Sequence, residues 1–256
     1  MCLITFAYKV HPDYELILAG NRDEFYARPT RKAQFWTEEG HPDILAGKDL
    51  EAGGTWLGVH KDGRWGALTN YRDFSIQKVN PPSRGELVLD YLASGKKGET
   101  YLRHIKPKAG HYNGFNLLLG DRQGLYHLHN QEKKIHRIEP GIHGLSNASL
   151  DTPWDKLTKA NQQLASLIKN ENLSKEALFE LLLNEEKAPE ENLPETGLSP
   201  EMEKAVSSIF IRTEGYGSRC SSLLLIDKHG NVDFTERRYI PGTKEINGEQ
   251  HFAFSP

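Results

Sequence analysis

The sequence predicts an α+β protein in which antiparallel sheets and helices are segregated along the chain. Short strand-like segments punctuated by glycine, proline and Asn/Asp turns fill the first half, helical periodicity dominates the middle, and strand-like segments return near the end. A doubly wound parallel sheet would instead alternate strand and helix. Because no repeat or linker-like segment interrupts this order, residues 1–256 are predicted to form a single domain.

The first half is predicted to consist of β-hairpins. Residues 2–8 and 16–21 are apolar and β-branched, and the turn His11-Pro12-Asp13 between them predicts that these two strands pair. Two further hairpins are predicted around glycine-containing turns, with strands at residues 56–60 and 64–69, and at residues 114–120 and 125–128. Strand pairing in this half is therefore expected to be antiparallel.

Helical periodicity follows. It predicts helices over residues 84–93, 99–105, 152 to about 170, and 174–183. In the third helix, Thr152 is expected to be the N-cap, since Pro153 suits the first helical position. Residues 185–199 mix proline, glutamate, asparagine and glycine with few large apolar side chains, which predicts a mobile surface loop. Strands are expected again at residues 209–213, 221–226 and 232–238.

Composition argues against several classes of protein. Its apolar runs are only a few residues long, far short of the roughly 20 needed to span a bilayer, so no integral membrane segment is expected. The 32 Lys+Arg against 35 Asp+Glu give a net charge of -3, which lacks the basic footprint of a nucleic-acid-binding protein. Two cysteines and an N-terminus without a secretory signal predict a cytoplasmic location.

Cys2 is the first candidate for chemistry. Removal of the initiator methionine requires a small second residue, and cysteine qualifies, so trimming would leave Cys2 with both a thiol and a free α-amine. An α-amine has a pKa of roughly 7.7–8.0, which allows it to take the proton of the thiol at neutral pH. A small buried residue that begins a strand is the simpler interpretation, and position alone favours it.

A strand that ends in consecutive polar residues is the second candidate. Asn21, Arg22, Asp23 and Glu24 follow an apolar segment that should pair with the strand beginning at Cys2. Arg22 and Asp23 would then lie within reach of the thiol. A solvated turn is the ordinary explanation of such a run.

Ten short motifs then follow one another along nearly the whole chain. They are residues 1–4 (MCLI), 21–25 (NRDEF), 53–58 (GGTWLG), 67–71 (ALTNY), 83–87 (SRGEL), 112–117 (YNGFNL), 144–147 (GLSN), 152–154 (TPW), 215–219 (GYGSR) and 234–237 (FTER). In this order the motifs resemble those of the NRDE family, the proteins related to the eukaryotic transport-and-Golgi-organisation protein. The chain is identified as a member of that family.

The NRDE family is similar to the N-terminal-nucleophile (Ntn) cysteine hydrolases, such as penicillin V acylases. The resemblance implies a four-layer αββα sandwich with two antiparallel sheets. It also implies site residues by position: Cys2 as nucleophile, Asp23 as the nearby aspartate, Asn70 and Asn147 as oxyanion-site asparagines, and Arg219 as the arginine near the C-terminal strands. The hydrolases place a further arginine three residues before the aspartate, where this chain has Gly20, and its arginine is instead the adjacent Arg22.

Two functions are open at this point. The hydrolase resemblance implies amide or thioester acyl transfer through Cys2, with no cofactor required. The alternative is a non-catalytic binding or trafficking protein, since eukaryotic members of the family are associated with haem mobilisation and with acyl-CoA and lipid homeostasis. Either way the expected partner is a small acylated molecule or haem as a transported ligand. His127 and His129 share one strand face but lack partners at metal-like spacing, so no metal site is expected, and Cys220 is expected in the core.

Overall fold

The computed structural model describes residues 2–74 and 77–256. The chain divides into two compact units, one formed by the chain up to Ala27 together with Pro140–Ala253, the other by Arg28–Glu139 with Phe254–Pro256. We call them the first and the second unit and describe each by itself. The expectation of one domain stays a prediction.

The described residues contain thirteen strands and five α-helices. The strands are β1 (Cys2–Tyr8), β2 (Tyr14–Phe25), β3 (Thr30–Trp36), β4 (His41–Asp49), β5 (Leu57–His60), β6 (Trp65–Asn70), β7 (Phe115–Asp121), β8 (Gly124–His129), β9 (Lys134–Arg137), β10 (Gly141–Leu145), β11 (Tyr216–Asp227), β12 (Val232–Tyr239) and β13 (Ile246–Phe254). The helices are α1 (Glu86–Ala93), α2 (Gly98–Ile105), α3 (Asp155–Lys169), α4 (Lys175–Leu182) and α5 (Pro200–Ala205). None of the helices in this part of the chain is both long and apolar enough to cross a bilayer.

The first unit is built on a six-stranded sheet in the order β10-β1-β2-β11-β12-β13. The β1–β2 hairpin is as predicted, and its turn is closed by His11, whose Nδ1 accepts hydrogen bonds from the backbone N–H groups of Asp13 and Tyr14 at 3.1 and 3.3 Å. One face of the sheet packs against α3 and α4, because alternate residues such as Leu3 and Ile17 are apolar and buried there. We call this the helix face and the other the Cys2 face.

The second unit is a seven-stranded sheet in which β3 to β9 follow one another in chain order. α1 and α2 cover one face through a core that includes Val88, Tyr91 and Leu119. The loop before β5 crosses the start of α1 so closely that a Cβ on Gly54 would lie 2.3 Å from the carbonyl carbon of Gly85. Only glycine fits this crossing.

The structure confirms the α+β class, since each unit contributes an antiparallel sheet with helices on one face. Two local predictions are wrong. Residues 209–213 form no strand ladder, because side chains take the backbone bonds instead: the carbonyl of Ile209 accepts from Asn21 Nδ2 and the N–H of Ile211 donates to Ser218 Oγ. Thr152 does not cap α3, since its hydroxyl donates back to the Ser149 carbonyl and Trp154 takes the N-cap position.

Candidate active site

The candidate site lies at one end of the sheet of the first unit. β1 begins there, while its antiparallel neighbours β2 and β10 end there and β11 begins there. Cys2 is paired with Arg22 of β2, and Arg22 is paired with Cys220 of β11. Because directly opposed residues of an antiparallel sheet point to the same side, Cys2, Arg22 and Cys220 share the Cys2 face.

The thiol of Cys2 is held by the neighbouring strand. The backbone N–H of Asp23 donates a hydrogen bond to its sulfur, and Arg22 lies beside it. Cys2 is only 8% exposed, and this burial raises the pKa of its thiol, outweighing the hydrogen bond and the arginine charge. The thiol is therefore largely protonated at neutral pH, and a reaction through its sulfur needs a base close by.

Asp23 is the buried acid of the site. Its carboxylate is 2% exposed and accepts a 2.6 Å hydrogen bond at Oδ1 from the hydroxyl of Ser218, its partner on β11. Burial raises the pKa of Asp23 to about 6, although the charge of Lys156 and the Ser218 hydrogen bond lower it. At neutral pH Asp23 is thus mostly ionised but close to its titration range.

Asn147 reaches the site through β10. Leu145 at the end of that strand is paired with Ile4, so the two residues that follow run alongside the start of β1. The hydroxyl of Ser146 donates to the carbonyl of Cys2 at 3.3 Å and to Oδ1 of Asn147 at 3.4 Å. Asn147 is fully buried, so its amide is held in one place at the level of the nucleophile.

Arg219 occupies a β-bulge. Ser218 and Cys220 are paired with consecutive residues of β2, which leaves Arg219 as the extra residue between them. Its Nη1 donates to the carbonyl of Phe25 at 2.9 Å. Three guanidinium groups lie near one another at this end of the sheet, those of Arg22, Arg219 and Arg238. Burial lowers the pKa of Arg219, and the nearby charges of Arg22 and Arg238 lower it further.

Five of the six predicted site residues therefore lie at one end of a single sheet. They are Cys2, Arg22, Asp23, Asn147 and Arg219. The sixth, Asn70, is the last residue of β6 in the second unit, where it is paired with Phe115. Its role stays a prediction.

Three further residues near the site were not predicted from the sequence. Ser146 and Ser218 lie inside recognised motifs, but only strand register reveals that their hydroxyls contact Cys2 and Asp23. Lys156 lies on the first turn of α3, is 3% exposed, and donates from Nζ to the carbonyl of Val206 at 3.1 Å. Because lysines are mostly exposed, nothing in the sequence indicates that this one is buried.

Among the described residues, no three His, Cys, Asp or Glu side chains are arranged to hold a metal ion. His127 is buried in the second unit with Nε2 at 3.0 Å from Asn116 Oδ1, and burial lowers the pKa of His127 to about 3. Cys220 is buried, and desolvation raises the pKa of its thiol, which the nearby Glu236 carboxylate raises further.

Comparison with known proteins gives consistent matches. A family model described as Transport and Golgi organisation 2 matches residues 1–241. The mouse protein named Transport and Golgi organization 2 homolog is 37% identical, and the human Transport and Golgi organization protein 2 homolog 36%, each over 93% of this chain and 92% of the relative. A mutant conjugated bile acid hydrolase from Clostridium perfringens superposes with a TM-score of 0.50 at 10% identity, covering 100% of this chain and 97% of that one. The last match confirms the predicted Ntn-hydrolase-like fold.

Proposed function

The chain belongs to the Transport and Golgi organisation 2 family, and we propose that it hydrolyses or transfers acyl groups of amides or thioesters through Cys2. The observation that supports this proposal is the register of β1 and β2, which pairs Cys2 with Arg22 and so brings it next to the buried Asp23. Asn147 and Arg219 lie at the same end of this sheet.

The proposed reaction begins with removal of Met1. The freed α-amine of Cys2 takes the thiol proton, directly or through one water, which supplies the base that the buried thiol needs. Ionised Asp23 lies on the strand paired with β1, one residue beyond Arg22, and stabilises the ammonium that results. The thiolate then attacks the substrate carbonyl carbon.

The negative charge that develops on the substrate oxygen needs donors. The amide N–H of Asn147 and the guanidinium of Arg219 are the candidates in the first unit, and Asn70 is proposed as a further donor on the strength of the family resemblance. One such donor is typically worth roughly 3–4 kcal/mol of barrier. As the tetrahedral species collapses, the C–N or C–S bond breaks and the ammonium returns its proton to the leaving amine or thiol. Water then hydrolyses the acyl-cysteine, and no cofactor is required.

Intact mass and a substrate panel test the proposal. The purified protein should lack the mass of one methionine residue, and it should release product from some N-acyl amides or acyl thioesters. Cys2→Ser should lower that release by orders of magnitude, because a serine hydroxyl is a poorer nucleophile at nearly the same volume. Cys220→Ser is the matched control and should keep activity. Retained methionine, or equal release by wild type and Cys2→Ser, would reject the enzyme proposal.

A binding or trafficking function is the second candidate. It is favoured by the raised pKa of the Cys2 thiol, because a protonated thiol is a weak nucleophile. On this proposal the residues around Cys2 bind haem or an acyl-CoA-type lipid as cargo. Cys2→Ser and Asn147→Ala would then change cargo affinity by only about 1 kcal/mol, with no hydrolysis to lose. Titration of haem and of an acyl-CoA into wild type and both variants tests it, and no binding of either would reject it.

We propose a cytoplasmic location for the protein under either candidate function. Its two cysteines are free and buried, as suits a reducing compartment. Fluorescence microscopy of the tagged full chain in its native cell tests the location, and signal confined to an organelle lumen would contradict it.

A further inference from the structure

Two cysteines and two arginines alternate in a row across four neighbouring strands. Cys2 is paired with Arg22, Arg22 with Cys220, and Cys220 with Arg238 of β12. Directly opposed residues share a side of the sheet, so the row lies on the Cys2 face. Arg219, at the bulge beside Cys220, adds a third guanidinium group.

The arginines outnumber the carboxylates on this face. Glu24 lies two residues beyond Arg22 on the same side, with its Oε2 at 3.7 Å from Arg22 Nη2. Glu236 lies two residues before Arg238 and is buried. Among the side chains of this face, three guanidinium groups and two carboxylates leave an excess of positive charge. The ionised Asp23, next to Arg22 along β2, alternates to the helix face, where the charge of Lys156 acts on it. Such an excess of positive charge on the Cys2 face attracts an anion.

Arg237, the residue before Arg238 on β12, is neutralised by carboxylates. It points to the helix face, forms ion pairs with Glu176 and Glu249 at 2.8 and 2.7 Å, and stacks on Phe179 with its guanidinium carbon 3.9 Å from the ring centroid. Arg238 forms no ion pair with a carboxylate anywhere in the described ranges. The strand therefore neutralises one arginine with two acids and leaves its neighbour, on the Cys2 face, without one.

A buried hydroxyl lies beside the row. Ser222 is two residues from Cys220 on the same face and is fully buried. Within the described residues its Oγ has no hydrogen-bond partner. A buried hydroxyl without a partner costs free energy, which a ligand oxygen accepting its proton would recover.

We propose that Arg22, Arg219 and Arg238 form an anion-binding subsite, and that the acyl substrate of Cys2 carries a carboxylate, phosphate or sulfonate group. This inference rests on the proposed function. Strands lie roughly 4.8 Å apart, so the Cα of Arg238 is roughly 14 Å from that of Cys2. The anion would lie on the β11 and β12 side of the thiol, with the scissile carbonyl over β1.

Alkylation of Cys2 tests the subsite without a known substrate. Iodoacetate is an anion and iodoacetamide is its neutral analogue, so the ratio of their rate constants at Cys2 reports local potential independently of thiol reactivity. Removing one positive charge at this range should lower the ratio about two- to fourfold in Arg238→Gln. Arg238→Lys should keep it high. Arg103→Gln, an equal charge change on an arginine that is 72% exposed on α2, should leave it unchanged.

Competition identifies the anion. Acetate, inorganic phosphate and methanesulfonate are each added to the iodoacetamide reaction of wild type and Arg238→Gln. Protection of Cys2 by any of them, weakened by Arg238→Gln, supports the subsite and assigns its preference. The subsite would be overturned if the ratio of the iodoacetate to the iodoacetamide rate constant were equal in wild type and Arg238→Gln. It would also be overturned if the ratio were equal in Arg238→Lys and a folded Arg238→Gln. Should Arg238→Gln fail to fold, a ratio in wild type no higher than that of Cys2 in urea-unfolded protein would overturn it as well.

The two proposals fail separately. A charge-dependent alkylation ratio with no hydrolysis of any acyl compound would keep the subsite and reject the enzyme. Hydrolysis of neutral N-acyl alkylamides as fast as of N-acyl amino acids, with an alkylation ratio insensitive to Arg238, would keep the enzyme and reject the subsite.

Discussion

Ser218 and Asp23 face each other across β11 and β2, and the serine hydroxyl donates a 2.6 Å hydrogen bond to the buried aspartate. The same hydroxyl accepts from the backbone N–H of Ile211 at 3.0 Å. One side chain thus joins the carboxylate of the site to the irregular segment around Ile211. The Asp23 carboxylate is therefore fixed in a buried position, where burial destabilises its ionised form.

Asp23→Asn should stabilise the fold at neutral pH while abolishing activity. The pKa of Asp23 is raised to about 6, so the folded state binds its proton more tightly than the unfolded chain. The stability contributed by Asp23 is therefore full below about pH 4 and is lost as the pH rises through 6. Above pH 7 the free energy of unfolding of the variant should exceed that of wild type by about 3 kcal/mol, and the difference should vanish near pH 4.

Urea unfolding between pH 4 and 8 measures this difference. Asp13→Asn, in the exposed β1–β2 loop, is the control and should show no such trend. A variant less stable than wild type at pH 7.5 would contradict the assignment of Asp23 as a destabilised acid.

Lys156→Met should raise the pKa of Asp23 above 6. The Lys156 ammonium is buried, and its charge lowers the pKa of Asp23. The pH at which Cys2 alkylation by iodoacetamide becomes fast should therefore shift upward, because protonated Asp23 no longer supports the α-ammonium. Lys156→Arg should restore the profile. Lys159→Met, which removes a lysine on the same helix paired with Asp155 and Glu186, should not shift it; an equal shift there would argue against a specific role of Lys156.

His127→Gln should make the protein less sensitive to acid. Burial lowers the pKa of His127 to about 3, so the folded state keeps it neutral while the unfolded chain protonates it below about 6.5. The stability contributed by His127 is full above that pH and is lost as the pH falls towards 3, by about 1.4 kcal/mol per unit. Glutamine retains a donor for Asn116 Oδ1, which accepts a hydrogen bond from the Nε2–H of His127 in wild type.

The measurement is the free energy of unfolding from pH 7 to pH 4.5. The slope should flatten in His127→Gln and stay as in wild type in His104→Gln, which replaces an exposed histidine of α2. The same dependence of the free energy of unfolding on pH in all three proteins would contradict this prediction. It would show that the folded state takes up a proton at His127 without loss of stability.

Local pattern was enough to predict the hairpin that carries the nucleophile. β1 was predicted at its observed bounds because it is a continuous apolar run ending at a turn. β10 was not predicted, since Gly141–Leu145 has two glycines and no alternation. The place of Asn147 beside Cys2 depends on the pairing of β10 with β1, which only long-range register reveals.

The bulge at Arg219 limits what alternation can predict. Simple alternation puts Arg219 and Cys220 on opposite faces, but the extra residue in β11 breaks the period at that point. Cys220 is buried as expected, yet it shares a face with Cys2 because both are paired with Arg22. The row of alternating cysteines and arginines across the sheet follows from this register. It could not be predicted from the order of residues along the chain.

Asn147→Ala should lower kcat more than it changes KM, on any substrate that wild type cleaves. Its amide is buried at the level of Cys2, where a donor acts mainly on the transition state, so kcat should fall about 10²- to 10³-fold. Ser146→Ala is the matched control, because Ser146 donates to Asn147 Oδ1 and to the Cys2 carbonyl without offering an oxyanion donor of its own. Ser146→Ala should lower the free energy of unfolding by about 1 kcal/mol and should change kcat little. An equal loss of kcat in both variants would mean that Asn147 acts by supporting the start of β1 and not as an oxyanion donor.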